Sequence, residues 1–219
     1  MLTGLLGAGV VGAPVTGSAL APGFLPLRAG TWTYRIASGD KEGQSEPHIV
    51  QRLEHDPSRA DWRYTVGTTG DVLIKQTEGG SLTLVSEQDN AQAVITRYQR
   101  AVPGVLVGLA PGDSRSASIA VAVSDISSPQ VVSHNGTLEV TYSHLGAYKV
   151  TTPAGTYDAA LIKWTYKGKV GPADVDDTQY RFFAENVGMV ATVDELNVAA
   201  LFVYHEHTKS GKVLARAPR

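Results

Sequence analysis

Thr151-Thr-Pro-Ala-Gly-Thr-Tyr-Asp-Ala-Ala-Leu-Ile-Lys-Trp-Thr-Tyr166 is the stretch from which the fold can be read. Pro153 and Gly155 mark a turn, because proline fixes φ near −65° and glycine accepts the positive φ that other residues resist. From Tyr157 to Tyr166 the chain is rich in aromatic, β-branched and aliphatic residues, which predicts a strand. Ile162, Trp164 and Tyr166 share one parity while Lys163 and Thr165 take the other, so one face is buried and the other wet.

The same texture extends in both directions. Trp32, Tyr34 and Ile36 alternate with Thr33 and Arg35, and Trp62-Arg-Tyr-Thr-Val66 repeats the pattern. Gly79-Gly80 and Asn135-Gly136 are hairpin signals between apolar runs. Ile119, Val121 and Val123 share a face, and Leu138 to Tyr142, Gln179 to Ala184, Met189 to Val193 and Ala199 to His207 read as further strands. Pro103 to Asp113 reads as an apolar connector, Ala93 to Gln99 as a further strand with a short helix beginning at Asp89 to Ala93 as the alternative, and Thr208 to Arg219 as a mostly unordered polar tail. About a dozen short strands with little helix predict an all-β protein whose antiparallel sheet curves or closes.

Composition sets outer bounds on function. The chain has 219 residues, enough for one large β domain, and a formal net charge of −2 with 18% charged residues. That balance supplies neither a basic face for nucleic acid nor a polybasic segment for anionic lipid. The absence of cysteine removes disulfides, thiolate zinc sites, thiol nucleophiles and a lipidated cysteine together. Met1 to Leu27 carries no charge and has a small apolar centre, so residues 1–21 read as a secretory leader or an apolar N-terminal arm, with Ala19-Leu20-Ala21 as a cleavage candidate. Its six glycines and its prolines argue against a transmembrane helix. The domain division that follows is 1–21, a single β domain over 22–207, and a polar tail over 208–219.

Local motifs for chemistry are sparse. Gly7-Ala-Gly9-Val-Val-Gly12 matches a dinucleotide fingerprint in letters, but Pro14 and Gly17 interrupt the helix it requires, and the first acidic residue is Asp40. His205-Glu-His207 places two imidazoles on one strand face, two ligands short of a structural metal site. Asp174, Asp176, Asp177 and Glu185 imitate a calcium loop, yet Gln179 stands where that loop needs glycine. No nucleophile elbow, phosphate loop or zinc-protease helix is present. No catalytic residue, metal or cofactor is therefore assigned.

Three segments together resemble bacterial cell-envelope proteins of unknown function. Leu25-Pro-Leu-Arg-Ala-Gly-Thr-Trp-Thr-Tyr34 is similar to P-L-x-x-G-x-x-W-x-Y, with one residue fewer between Gly30 and Trp32, Thr152-Pro-Ala-Gly-Thr-Tyr157 to V-P-A-G-T-F/Y, and Tyr180 to Val190 to an aromatic strand ending in G-V-G-L-V. Asn186 departs from the glycine or proline common there, and the lipid-anchored members carry a cysteine that this chain lacks. The resemblance implies a strongly curved antiparallel sheet, a half-barrel or open barrel like those of lipoprotein carriers, in a periplasmic or other extracytoplasmic setting. It implies no catalytic residues.

Trp32, Tyr34, Trp62, Tyr64, Trp164 and Tyr166 recur at strand spacing. In a closed core they would pack; in an open half-barrel they would line an apolar groove for a ligand. The resulting expectation is a non-enzymatic envelope protein that binds an apolar small molecule or lipid through those six residues. The alternatives are an accessory subunit of an envelope assembly, held by a protein partner, and a hydrolase whose site is assembled from distant residues. No nucleic-acid partner is expected.

Overall fold

The computed structural model describes residues 10–54, 60–200 and 204–218, with the backbone alone described at 10, 101, 196–200 and 204–209. The proposed leader core up to Gly9 and His55 lie outside the described residues, as do the side chains of His205 and His207. Thirteen strands follow one another: β1 (Val10–Val15), β2 (Gly30–Ser38), β3 (Ser45–Arg52), β4 (Trp62–Val66), β5 (Gly70–Gln76), β6 (Leu82–Asp89), β7 (Val94–Val105), β8 (Ser114–Asp125), β9 (Val132–Thr152), β10 (Gly155–Val170), β11 (Ala173–Ala184), β12 (Gly188–Ala200) and β13 (Tyr204–Arg216). The only helical element among the described residues is a single 3-10 turn at Pro22–Phe24.

Every neighbouring pair is antiparallel, and the order runs β9-β10-β11-β12-β13-β2-β3-β4-β5-β6-β7-β8, with β8 pairing back onto β9. That last pairing, Ser114↔Ser143 through Ser124↔Val132, turns the predicted half-barrel into a closed twelve-stranded barrel. Closure removes the exposed sheet edges that an open half-barrel would have to protect. Strand β9 is long enough to do two jobs. Its first half seals the barrel against β8, and its second half, Ala147 to Thr151, carries β1 on the outside.

Two other expectations change. Pro103 lies within β7 and pairs with Thr83, so the connector begins only after Val105. Thr208 to Arg216 is part of β13, which joins β12 to β2 and buries Val213 and Leu214 completely. Its lysines and arginine hid the strand, because only every second residue needs to be apolar when the other face is solvated. At Asp89 to Ala93 the chain turns without forming a helix: the Asp89 carboxylate accepts hydrogen bonds from the Ala91 and Gln92 amides, and Ala93 adopts φ 54°.

The Pro153–Ala154 turn behaves as its sequence suggests. Strands β9 and β10 pair from Thr152↔Gly155 onward, with Gly155 at φ 144°. Along β10 the buried residues Ile162, Trp164 and Tyr166 point inward, while Lys163 and Thr165 are partly exposed. Outward residues of β9 to β11 form polar cross-strand pairs, including Lys149–Asp158 at 2.8 Å, Lys167–Asp176 at 3.1 Å and Lys169–Asp174 at 3.3 Å. Asp174 and Asp176 are thus surface partners of lysines, not members of a calcium loop. A lipid-facing barrel needs an apolar outer band, so this polarity is the reverse of an outer-membrane strand's. No helix among the described residues is long and apolar enough to cross a membrane.

The chain from Leu20 to Leu27 closes one end of the barrel. Leu20 exchanges backbone hydrogen bonds with the 106–110 connector, its amide donating to Leu109 O and its carbonyl accepting from the Gly108 amide, while the Asn186 amide donates to Gly23 O. Leu20 and Phe24 are buried, and Leu25 reaches the barrel interior. Asn186 and Gly188 shape the β11–β12 turn beneath this plug, at φ 62° and 98°. Asparagine is among the few non-glycine residues that tolerate that region, which accounts for its standing where the envelope motif has glycine or proline.

Candidate functional site

A twelve-stranded ring is wider than the eight-stranded barrel that its own side chains just fill. The interior accordingly retains a cavity of about 380 Å³. Leu25, Leu84, Phe183 and Met189 line it toward the plugged end; Thr69, Gly70, Asp89 and Ser210 line it toward the opposite end. Between them stands a charged belt of His48, Glu87, Arg181, Asp194 and Lys212. The wall is therefore amphipathic along the barrel axis.

Cross-strand register assembles this belt. Arg181 sits opposite Ile162 on β10 and Thr192 on β12, and Thr192 sits opposite Lys212 on β13. On the other side of the ring, Val50 of β3 sits opposite Tyr64, Tyr64 opposite Val72, and Val72 opposite Glu87. Because antiparallel partners share a face, one charge placed on an inward parity is carried beside its neighbours' inward residues.

The tightest cluster is a chain of hydrogen bonds. Lys212 Nζ donates to Glu46 Oε1 at 2.6 Å, His48 Nε2 contacts the same oxygen at 2.7 Å, and His48 Nδ1 lies 2.7 Å from the Tyr64 hydroxyl. A carboxylate on Nε2 selects the tautomer with its proton there, which leaves Nδ1 to accept from the Tyr64 hydroxyl. Burial pushes Glu46 up, but the His48 and Lys212 hydrogen bonds and the Lys212 charge outweigh it and hold the carboxyl down to about 2. Burial pushes His48 down against the pull of Glu46, so the imidazole is neutral near pH 7. The order Glu46–His48–Tyr64 imitates a carboxylate, base and nucleophile. However, burial pushes the Tyr64 phenol up to about 12, the opposite of activation.

Arg181 centres a second cluster. Its guanidinium carbon lies 4.9 Å from the Trp164 ring centroid, and Nη2 donates to Gln179 Oε1. Burial works against its charge, yet Asp194, Tyr166 and Glu87 bind the proton more firmly. Glu87 and Asp177 show the reciprocal strain. Burial pushes Glu87 up despite Arg181, and it pushes Asp177 up to about 6 despite the Gln179 amide that donates to it at 2.7 Å.

Asp177→Asn isolates that strain. Between its unfolded value near 4 and its folded value near 6, the native state holds the proton that the unfolded chain has released, so stability falls as pH rises through this window. The amide is neutral throughout and still accepts from Gln179. Urea unfolding at pH 8 is expected to show the variant more stable by about 1–2 kcal/mol, with the difference vanishing near pH 4. A variant less stable at both pH values would show that the carboxylate is not strained.

Of the six aromatic residues singled out from sequence, only Tyr64 borders the cavity. Trp32 Nε1 donates to Val187 O at 3.0 Å, Tyr34 hydroxyl to Met189 O at 2.7 Å, and Trp164 Nε1 to Pro103 O at 2.9 Å. Tyr166 is buried among the core residues, and Trp62 is half-buried beneath Arg52. The charged belt was not singled out. Its only sequence signal is a charge on a strand's apolar parity: Glu46 and His48 with Val50, Arg181 with Phe183, Lys212 with Leu214. Among the described residues, no three His, Asp or Glu side chains are grouped as metal ligands.

Comparison with known proteins yields fold, not activity. A family model described as DUF3108-like matches residues 115–194, from the start of β8 to the middle of β12. No curated protein matches the chain. A provisionally assigned lipoprotein from Parabacteroides distasonis is 18% identical, with a TM-score of 0.47 over 88% of this chain and 97% of that one. A provisionally assigned exported protein from Bacteroides fragilis, with a YmcC-like fold, is 15% identical, with a TM-score of 0.52 over 93% of this chain and all of that one. This chain is similar to it in fold.

Proposed function

We propose that this protein is a non-enzymatic binding barrel of the bacterial cell envelope, holding a small ligand with an apolar body inside the ring. The observation that carries this reading is the cavity of about 380 Å³, which lies within the usual 300–1,000 Å³ of ligand sites. Leu25, Leu84, Phe183 and Met189 offer the apolar end for the ligand body, at roughly 25 cal/mol per Å² of apolar surface removed from water. The charged belt fixes orientation. Its setting outside the cytoplasm is supported by the exported description of the similar structure from Bacteroides fragilis.

The accessory-subunit alternative draws less support. The N-terminal segment from Val10 to Leu27 is engaged with its own barrel, through β1 on β9 and the plug at the end. It is not held out for a partner.

Decanol, a neutral probe with an apolar tail, tests the reading. Isothermal titration is expected to give one site per chain, and Val72→Trp, which places an indole in the cavity, is expected to abolish it while the far-ultraviolet spectrum stays that of a β barrel. Absence of decanol binding to the wild type, or equal binding by Val72→Trp, would overturn the proposal.

A further inference from the structure

We infer that the ligand is cationic at its polar end: an apolar body bearing an amine or similar head, with the head in the belt between Glu87 and Asp194. This rests on the barrel interior being the binding site, and it adds the ligand's chemical class.

The inference comes from counting charges by their commitments. Two cations line the cavity among the described residues, Arg181 and Lys212. Lys212 is spent on Glu46 at 2.6 Å. Arg181 lies on Trp164 and donates to Gln179, so its planar fork is partly occupied. His48 is neutral and bonded at both ring nitrogens. The wall carries Asp71, Glu87, Asp89 and Asp194; Asp71 is met by the Thr65 hydroxyl and Asp89 by the Ala91 and Gln92 amides, whereas Glu87 and Asp194 face Arg181, with Asp177 beside them. The belt is thus short of positive charge, and the upward pressure on Glu87 and Asp177 is the response expected of carboxylates crowded in a low-dielectric interior.

An entering anion would meet the four wall carboxylates Asp71, Glu87, Asp89 and Asp194 and, among the described residues, no cation without a partner, and like charges repel strongly in a partly desolvated site. An entering cation would relieve the crowding it meets. Position supports the same assignment. Met189 and Asp194 lie opposite Phe183 and Gln179, four residues apart on β11, with a bulge between them on β12, which is roughly 13 Å along the strand and about 10 Å along the axis at a strand tilt of ~40°. A tail seated against Met189 and Phe183 therefore leaves its head at the level of Asp194, on the open side of the belt.

Three probes that share a ten-carbon tail separate head from body: decylamine, decanol and decanoate, titrated into the full chain at pH 7.5 and low salt. Decylamine is expected to bind about tenfold or more tighter than decanol, and decanoate weaker than decanol, a tenfold step being 1.4 kcal/mol. Glu87→Gln and Asp194→Asn are each expected to lower the preference for decylamine over decanol severalfold, so the ratio of the two affinities reports the head; a ratio unchanged in both variants would overturn the cationic class. Decanol binding with decanoate equal to or tighter than decylamine would overturn the cationic class and leave the binding barrel standing. Failure of all three probes would overturn the binding reading itself, and this inference with it.

Discussion

Glu46→Ala is expected to lower the unfolding free energy at pH 7 by about 3–5 kcal/mol, the usual cost of removing one partner from a buried ion pair. Glu46 is only 9% exposed and His48 2%, so the network is largely withdrawn from bulk water. Without the carboxylate, Lys212 holds an unpaired charge against the barrel wall and His48 Nε2 loses its acceptor. Acid should reproduce this loss in the wild type. The folded value of about 2 lies below the unfolded value of about 4.5, so the stabilisation is present above pH 4.5 and disappears as pH falls toward 2. Urea titrations between pH 7 and pH 2.5 should therefore converge for wild type and variant. Glu46→Ala combined with Lys212→Met should recover much of the loss at pH 7, because the double change removes the stranded cation as well. A double variant no more stable than the single would show that the carboxylate acts by packing and not by charge.

This network marks the boundary of what the amino-acid sequence discloses. Alternation along β2, β4, β8 and β10 made the strands legible, since a period of two is visible wherever one face is buried and the other solvated. The Pro153–Gly155 and Asn186–Gly188 turns were legible for a related reason, because their backbone angles admit few residue types. Closure was not. It depends on β9 being 21 residues long and pairing twice, a long-range register between Ser114 and Ser143 that no local pattern encodes.

The site was hidden by the same rule that revealed the fold. A search for apolar faces singles out Trp32, Tyr34 and Trp164, which saturate their own polar atoms on the backbone and fill the wall. It passes over Glu46, Arg181 and Lys212, whose charge makes them look like surface residues, although their parity is that of Val50, Phe183 and Leu214. In a wide barrel the informative residue is the charge that falls in step with the core. Buried ionised groups are costly to desolvate, and they persist where they pair with one another or meet something else.

Arg181→Met is expected to produce the second large effect and to reveal which of those two cases holds in the belt. Methionine keeps an unbranched apolar stem against Trp164 but removes the one cation that, among the described residues, faces Glu87, Asp177 and Asp194. At pH 7.5 the loss should be about 3 kcal/mol, in the range for stranding buried charges. It should shrink below about 1 kcal/mol near pH 5, because Glu87 and Asp177, already pushed upward by burial, take up protons there in the native state before they do in the unfolded chain. The variant's stability therefore falls as pH rises from 5 to 7.5, more steeply than the wild type's. Arg181→Lys keeps the charge but loses the planar contact with Trp164 and the fork to Gln179, so it should cost about 1–2 kcal/mol with little added pH slope. If Arg181→Met instead parallels the wild type from pH 5 to 7.5, the carboxylates are balanced without the guanidinium. The belt would then carry no deficit of positive charge, and a cationic ligand would have nothing to relieve.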